Sequence, residues 1–329
     1  MTEGEVRKKF LYIFEVPSVA KPCLDKIVKP IEQELVVQLG GDELTLSELA
    51  DRWKPEESLR QLMDRAVYRG ILEKEEKNGA AVYKSTDFYT RLDYFAKYED
   101  YLSLPRRERA ELDKWYLDSY TERIVPYMED FRKDDSSPDY TTHTPVPLEQ
   151  IKDIVDEAET VAVVPCDCRR LHEDWDNPTS YCMNLDEAAE DVLDRGHGEE
   201  LSNSDAKDLL DWTDDQGLMH CTDQSDKSED PRTICNCDIR WCYPFRAAEK
   251  LESEGYWPVR QYIASRDKDK CIECGLCAQR CQFNAFKENS DEEDSGDKIE
   301  FEPDSCWGCG ICATACPVSA IEIIPRETT

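Results

Sequence analysis

The sequence predicts an α+β protein with an N-terminal helical part, a middle cysteine-bearing α/β domain and a C-terminal part made of two similar halves. Its length of 329 residues allows two or three domains, at roughly 100–200 residues per domain. Helical and strand-like hydrophobic patterns alternate along the chain. Of the 16 cysteines, 15 lie between Cys166 and Cys316, so the cysteine chemistry is confined to the second half.

The composition argues against nucleic acid and membranes as partners. The chain has 41 basic and 73 acidic residues and a net charge of −32, which repels phosphate backbones and anionic lipids.

No stretch approaches the ~20 apolar residues that cross a bilayer. Glu15, Pro17 and Lys21 interrupt the N-terminal apolar stretch, so we predict no signal peptide. We therefore expect a cytoplasmic protein whose closely spaced thiols bind metal rather than form disulfides.

We predict a first domain over residues 1–132. Between Asp42 and Lys84 the pattern is helix, helix and hairpin, with Gly70 ending the second helix and Asn78-Gly79 forming the turn. This order resembles a winged-helix domain. Residues 42–85 contain eight basic and ten acidic residues, whereas a DNA-binding domain normally has a basic stripe, so a packing or docking role is favoured. The apolar helical faces comprise Leu46, Leu49, Ala50 and Trp53, then Leu59, Leu62, Met63 and Ala66.

A helix over residues 106–131, disturbed at Pro126, ends this domain. Residues 133–147 are polar, proline-rich and without periodicity, and we predict that they form a linker. The middle domain then spans residues 148–266 and the C-terminal domain residues 267–329.

The middle domain alternates helices with a buried strand. We predict a helix over residues 148–158 and a strand over residues 161–164 that leads to Cys166. Two further helices follow over residues 186–194 and 205–215, the second capped by Ser204 and ended by Gly217.

Two cysteine runs near the C-terminus have the same spacing. Residues 271–281 read CIECGLCAQRC and residues 306–317 read CWGCGICATACP, so C-x2-C-x2-C-x3-C repeats after 35 residues. The two-residue gaps allow a tight loop to wrap three corners of an iron–sulfur cubane, while the fourth cysteine points to the other cluster. Zinc held by four thiolates fits this spacing less well.

The paired runs resemble those of the bacterial two-[4Fe–4S] ferredoxin family. The resemblance implies one cluster held by Cys271, Cys274, Cys277 and Cys316, and a second held by Cys306, Cys309, Cys312 and Cys281. The sequence departs from the family pattern in two places. Gln282 replaces the proline expected after the first run, and an acidic insertion over residues 287–298 lengthens the connection.

Seven further cysteines lie upstream, between Cys166 and Cys242. The layout of CxCR, GLxH and CNC segments before a two-cluster module resembles a family of ferredoxin-containing proteins from anaerobes. We predict that a third cluster uses Cys166, Cys168, Cys182 and either Cys235 or Cys237. Zinc, or redox-active thiols without metal, are the alternatives. His220 is either a ligand or a structural histidine, and the second interpretation is the simpler.

The sequence contains no phosphate-binding glycine motif, P-loop or radical-SAM triad. We therefore expect an electron carrier, or the electron-transfer subunit of an oxidoreductase, that serves a larger protein partner. Two alternatives remain open. In one, the protein is an oxidoreductase subunit whose upstream metal binds substrate. In the other, it is a redox-sensing winged-helix regulator.

Overall fold

The computed structural model describes residues 1–131, 143–172, 179–223, 232–253, 257–289 and 298–326. The chain divides into two compact units. The first unit comprises residues 1–119, 167–177 and 194–197, and the second comprises residues 120–166, 178–193 and 198–329. In the described ranges, no helix is both long enough and apolar enough to span a bilayer.

The N-terminal half is mostly helical. Its elements are α1 (Glu3–Ile13), α2 (Leu24–Ile27), α3 (Pro30–Leu39), β1 (Leu44–Thr45), α4 (Leu46–Arg52), α5 (Leu59–Tyr68), β2 (Leu72–Lys77), β3 (Ala80–Ser85), α6 (Phe88–Tyr98) and α7 (Arg106–Phe131). The helix predicted over residues 106–131 is α7, and Pro126 lies inside it.

The predicted helix–helix–hairpin order forms a small antiparallel sheet. Strands β2 and β3 pair in register, and β1 adds to β3, which gives the strand order β1-β3-β2. Asn78 and Gly79 have φ of 54° and 76°, as a two-residue hairpin turn of the Asn-Gly type requires. The Thr45 side chain caps α4 by accepting from the Glu48 amide, and Gly70 with φ of 67° follows the end of α5.

The first unit contains a buried network of ion pairs. Arg91 is fully buried and donates to the Ile27 carbonyl and to Glu99. Arg69 pairs with Glu99 and with the fully buried Glu32. Burial lowers the pKa of Arg91 to about 10, so its guanidinium remains charged at neutral pH and the two carboxylates compensate it.

The second half of the chain is richer in strands. Its elements are β4 (Thr144–Pro145), α8 (Leu148–Glu157), β5 (Val161–Pro165), α9 (Asp167–Leu171), β6 (Ser180–Leu185), α10 (Asp186–Asp194), β7 (Glu199–Leu201), α11 (Asn203–Asp215), β8 (Met219–Thr222), β9 (Thr233–Cys237), α12 (Tyr243–Leu251), β10 (Tyr262–Arg266), α13 (Leu276–Arg280), β11 (Phe286–Glu288), β12 (Ile299–Phe301), α14 (Ile311–Thr314) and β13 (Ile321–Pro325). Ser202, not Ser204, caps α11, because the Ser202 Oγ accepts the Asp205 amide at 3.1 Å.

A six-stranded antiparallel sheet organises the second unit, with strand order β4-β8-β9-β6-β5-β7. Helices α8 and α11 cover one face of this sheet. Alternate residues of its central strands pack there with Ile151, Val155 and Leu210 of the two helices. The buried strand predicted over residues 161–164 is β5.

The C-terminal segment, residues 257–289 and 298–326, has two similar halves. Strand β10 pairs with β13, and β11 pairs with β12. The short helices α13 and α14 begin after Gly275 and Gly310, which are separated by the same 35-residue step as the cysteine runs. Most of the acidic insertion, residues 290–297, lies outside the described residues, as do residues 133–142 of the predicted linker.

Candidate metal centres

Four cysteines of the C-terminal segment line a first cavity. Cys271, Cys274 and Cys277 come from the loop before α13 and its first turn, and Cys316 comes from the second run. The cavity contains about 320 Å³ of space not occupied by atoms, its open mouth included. The structure therefore brings together the four cysteines that the sequence assigned to one cluster.

A second cavity of the same size, about 320 Å³, repeats this arrangement. It is lined by Cys306, Cys309 and Cys312 of the second run and by Cys281 of the first. The exchange of the fourth cysteine between the runs thus occurs in both halves. Each cavity is lined by three cysteines of one run and the fourth of the other, an arrangement that fits a multi-atom inorganic cluster.

Backbone amides are directed at the cysteine sulfurs in a repeated pattern. The Ala285 amide donates to Cys281 Sγ at 3.2 Å, and the Ala320 amide donates to Cys316 Sγ at 3.2 Å. Each donor follows its cysteine by four residues. Hydrogen bonds of this kind stabilise negative charge on the sulfur, and they tune the reduction potential of a cluster that the thiolate holds.

The loops around the cavities require glycine at specific positions. Gly308 has φ of 67°, and a Cβ there would collide with the backbone of Tyr262 on β10. Glycine tolerates both the positive φ and the close approach. The Cys306–Cys309 loop can therefore lie directly against β10, where Cys306 Sγ accepts the Ala264 amide at 3.4 Å.

The second cavity is the more deeply buried of the two. Burial raises the pKa of Cys309 to about 12 and raises that of Cys312 well above its usual value. These thiols therefore stay protonated at neutral pH in the absence of metal. Binding of metal by the thiolates then releases the protons. At the first cavity, by contrast, Cys274 is exposed.

The other face of the six-stranded sheet carries a row of cysteines. Cys221 on β8 lies opposite Cys235 on β9, and Cys237 follows two residues later on the same side of the strand. Cys182 continues the row on β6, where it is paired with Val164 of β5. We call the face defined by Cys182, Cys221, Cys235 and Cys237 the cysteine face.

The structure brings together several of the upstream cysteines chosen from the sequence. The Cys182 thiol hydrogen-bonds with Cys166 and Cys235, and Cys235 also contacts Cys237. Cys168 lies on α9, which belongs to the first unit. All 16 cysteines are within the described ranges, and none of them forms a disulfide.

Three residues that the sequence interpretation did not select join this group. His143 Nε2 lies 3.3 Å from Cys237 Sγ and 3.4 Å from Cys242 Sγ. Cys221 contacts both His143 and Cys237. His143 falls within the predicted linker, and only its position directly before β4, which pairs with β8, brings it to the cysteine face.

His220 lies on the helix-covered face instead. Its Nδ1 is 2.6 Å from Asn236 Oδ1, and Thr213 Oγ1 donates to the same oxygen at 3.3 Å. His220 is fully buried. These contacts are those of a structural histidine that links β8, β9 and α11.

The C-terminal segment packs on the cysteine face. Trp307 and Ile311 share a buried cluster with Cys221, Cys237 and Cys242, and Cys309 packs against it. Gln282, the residue that replaces the expected proline, donates to the Gly217 carbonyl at 2.6 Å and accepts from the Ile239 amide at 2.9 Å. A proline could not make these bonds, so the departure from the family pattern has a structural role.

A comparison with protein-family models matches residues 270–320 to the 4Fe-4S dicluster domain. No curated protein matches the chain. The matched stretch contains all eight cysteines of the two C-terminal runs. Residues 270–320 are therefore an iron–sulfur segment of the ferredoxin type.

Proposed function

We propose that the protein relays single electrons between partner proteins through two [4Fe–4S] clusters. Cys271, Cys274, Cys277 and Cys316 hold one cluster, and Cys306, Cys309, Cys312 and Cys281 hold the other. The observation that carries the proposal is the repeated cavity, in which three cysteines of one run meet the fourth of the other. A [4Fe–4S] cluster stores and releases one electron at a time, which is the chemistry that ferredoxins use.

The surroundings of the first cavity suit contact with a redox partner. Ile272, Leu276 and Val318 line this cavity, and their side chains are 60%, 36% and 37% exposed. Together with the exposed Cys274 they form an apolar rim around a site that is open to the surface. Exposed apolar residues grouped at one place mark a protein-interaction site more often than scattered ones do.

The surroundings of the second cavity suit electron transfer to the interior of the protein. Trp307 stacks on Phe283, with ring centroids 5.2 Å apart, and Phe245 meets the Trp307 ring edge-on at 5.1 Å. These rings pack around Cys309 on the side of the cysteine face and shield it from water. A cluster in the first cavity thus lies near the surface, and a cluster in the second cavity is more deeply buried.

Two arginines in and directly after helix α5 argue against DNA binding as the function. Arg65 makes two hydrogen bonds to Glu57, at 2.8 and 3.0 Å. Arg69 is buried in the ion network with Glu32 and Glu99. Arginines that are paired with carboxylates of their own unit contribute little to binding phosphate.

The test is anaerobic reconstitution of the full chain with iron and sulfide. We expect about eight iron and eight sulfide ions per chain, because each cubane contains four of each. Reduction with dithionite should give the EPR spectrum of two magnetically interacting [4Fe–4S]⁺ clusters.

Single variants assign the two sites. Cys277→Ser and Cys312→Ser should each remove one cluster and leave a non-interacting EPR signal from the other. Cys23→Ser is the matched control, because Cys23 is a buried thiol of the first unit that donates to the Ala20 carbonyl. A chain that keeps its full iron content in both cluster variants would refute the assignment.

A further inference from the structure

A group of side chains outside the C-terminal runs converges on one point of the cysteine face. His143 precedes β4, Cys221 is on β8, Cys237 ends β9 and Cys242 precedes α12. They come from four separate stretches of chain, and none of them has a role in the electron relay proposed above.

The distances within this group fit a single metal ion. The Sγ atoms of Cys237 and Cys242 are 3.5 Å apart, and they lie 3.3 and 3.4 Å from His143 Nε2. A tetrahedral zinc ion with Zn–S of about 2.3 Å and Zn–N of about 2.0–2.1 Å separates two sulfurs by about 3.8 Å, and sulfur from nitrogen by about 3.6 Å. The observed separations are smaller by only a few tenths of an ångström. A cubane core would hold its thiolates farther apart.

Cys221 is the candidate fourth ligand beside the triad of His143, Cys237 and Cys242. Its thiol contacts His143 and Cys237. The ligand atoms of the triad lie within 4.8 Å of one another and Cys221 is outside that set, so its side chain must move closer to the triad when a metal binds. Cys235 contacts Cys237 but hydrogen-bonds with Cys182 on the other side. A fourth ligand must reach the point that lies between the other three ligand atoms. Cys221 contacts two of those three residues and Cys235 contacts one, so Cys221 is the better placed of the two.

The surroundings shield the three thiols of the site from water, and His143 is half-buried. Cys221, Cys237 and Cys242 are 0%, 7% and 3% exposed. They pack with Met219, Phe245, Trp307 and Ile311. Four protein ligands in an apolar, water-poor setting are the mark of a structural zinc site, whereas a catalytic zinc site keeps a position open to water.

We propose that His143 Nε2 and the thiolates of Cys221, Cys237 and Cys242 bind one Zn²⁺ ion in a closed tetrahedral site. Binding forms one Zn–N and three Zn–S bonds and releases the protons of the three thiols to solvent. The ion cross-links β8, β9, the residue before β4 and the residue before α12. It thereby fixes the surface on which Trp307 and Ile311 of the C-terminal segment pack.

The experiment measures zinc and iron separately in the reconstituted full chain, by inductively coupled plasma mass spectrometry. We expect about one zinc ion per chain in addition to the cluster iron. Zinc K-edge absorption should show three sulfur ligands and one nitrogen ligand. Zinc content does not depend on electron transfer, so failure of this proposal and failure of the proposed function are distinguishable.

Variants identify the ligands. Cys242→Ser and His143→Phe should lower zinc affinity by at least about 100-fold, since even the loss of an outer-sphere partner costs 10–100-fold. His143→Cys should retain zinc with a four-sulfur spectrum, which shows that the chain folds without the imidazole. Cys23→Ser is the control thiol, and Cys235→Ser should also keep the zinc.

Four outcomes overturn the proposal. They are iron in place of zinc at this site, a Cys237–Cys242 disulfide in the metal-free chain, full zinc retention in Cys242→Ser, and loss of zinc in Cys235→Ser with retention in Cys221→Ser.

Discussion

Single residues with strict backbone requirements shape both C-terminal cavities. Ala285 and Ala320 occupy equivalent positions in the two halves, and each directs its amide at the sulfur of the cysteine four residues earlier. Gly308 allows the second loop to lie against the Tyr262 backbone. The cavities therefore depend on the main chain at these positions as much as on the cysteines.

The Gly308→Ala substitution introduces both backbone strain and a steric collision, and comparison with a substitution that introduces strain alone measures the effect of the collision. The positive φ of 67° costs an alanine roughly 1–2 kcal/mol, and its Cβ would also collide with the Tyr262 backbone. We expect a larger loss of stability than that strain alone and incomplete loading of the second cavity, measured as iron content and as the midpoint of thermal unfolding.

Gly41→Ala is the matched control for this substitution. Gly41 has φ of 89°, and nothing lies within 4 Å of a Cβ placed there. It should lose only about 1–2 kcal/mol of stability from strain and keep full iron content. Equal effects of the two substitutions would contradict the role assigned to Gly308.

Among the elements, the loop that begins the second cysteine run joins the C-terminal segment to the six-stranded sheet. Its Trp307 packs between Phe245 of α12 and Phe283, and the Arg260 guanidinium lies 4.3 Å from the Trp307 ring centroid. Gln282 adds hydrogen bonds to the main chain at Gly217 and Ile239. The second cavity is therefore anchored to the sheet.

Trp307→Ala should weaken this junction strongly. Truncation of a buried tryptophan to alanine costs about 3–5 kcal/mol, and Trp307 is 5% exposed. We expect chemical denaturation, followed by cluster absorbance and circular dichroism, to shift to lower denaturant concentration. The second cluster should also be lost first on exposure to air.

Trp212→Ala serves as the comparison, because Trp212 is 40% exposed. Substitution of a half-exposed residue away from the junction should cost less than about 1 kcal/mol. A Trp307→Ala protein as stable as the Trp212→Ala protein would show that the aromatic contact does not hold the segment.

Charge is distributed unevenly over the whole molecule. The first 100 residues contain 16 basic and 20 acidic residues, and the rest of the chain contains 25 basic and 53 acidic residues. Nearly all of the negative charge therefore belongs to the part of the chain that contains the cysteine sites. Such a field attracts a basic redox partner and accelerates its encounter with the protein.

The rate of electron exchange with a basic partner should depend strongly on salt. With a lysine-rich cytochrome c as the probe, we expect the bimolecular rate constant to fall by about tenfold or more between low and high ionic strength. An acidic ferredoxin used as the probe should show the opposite trend. Stopped-flow absorbance measures both rates, and a rate with the cytochrome that does not change with salt would exclude steering.

Much of the fold could be predicted because its signals are local. Asn78-Gly79 predicts its hairpin, and the hydrophobic pattern of residues 161–164 predicts a buried strand, since turn geometry and side-chain alternation involve only neighbouring residues. The cap of α11 was misplaced by two residues because both Ser202 and Ser204 are suitable capping residues. The helix over residues 106–131 was predicted with its observed bounds, because its apolar face repeats with the helical period on both sides of Pro126.

The iron–sulfur character of residues 270–320 can be read from the sequence alone, because the ligand spacing that wraps a cubane is contained in one short loop. Which upstream residues meet depends instead on the three-dimensional fold. His143 and Cys242 are separated by 99 positions, and they meet because strand pairing brings β4, β8 and β9 side by side. Strand register is a long-range property, so no local pattern identifies a histidine in a proline-rich stretch as a partner of those cysteines.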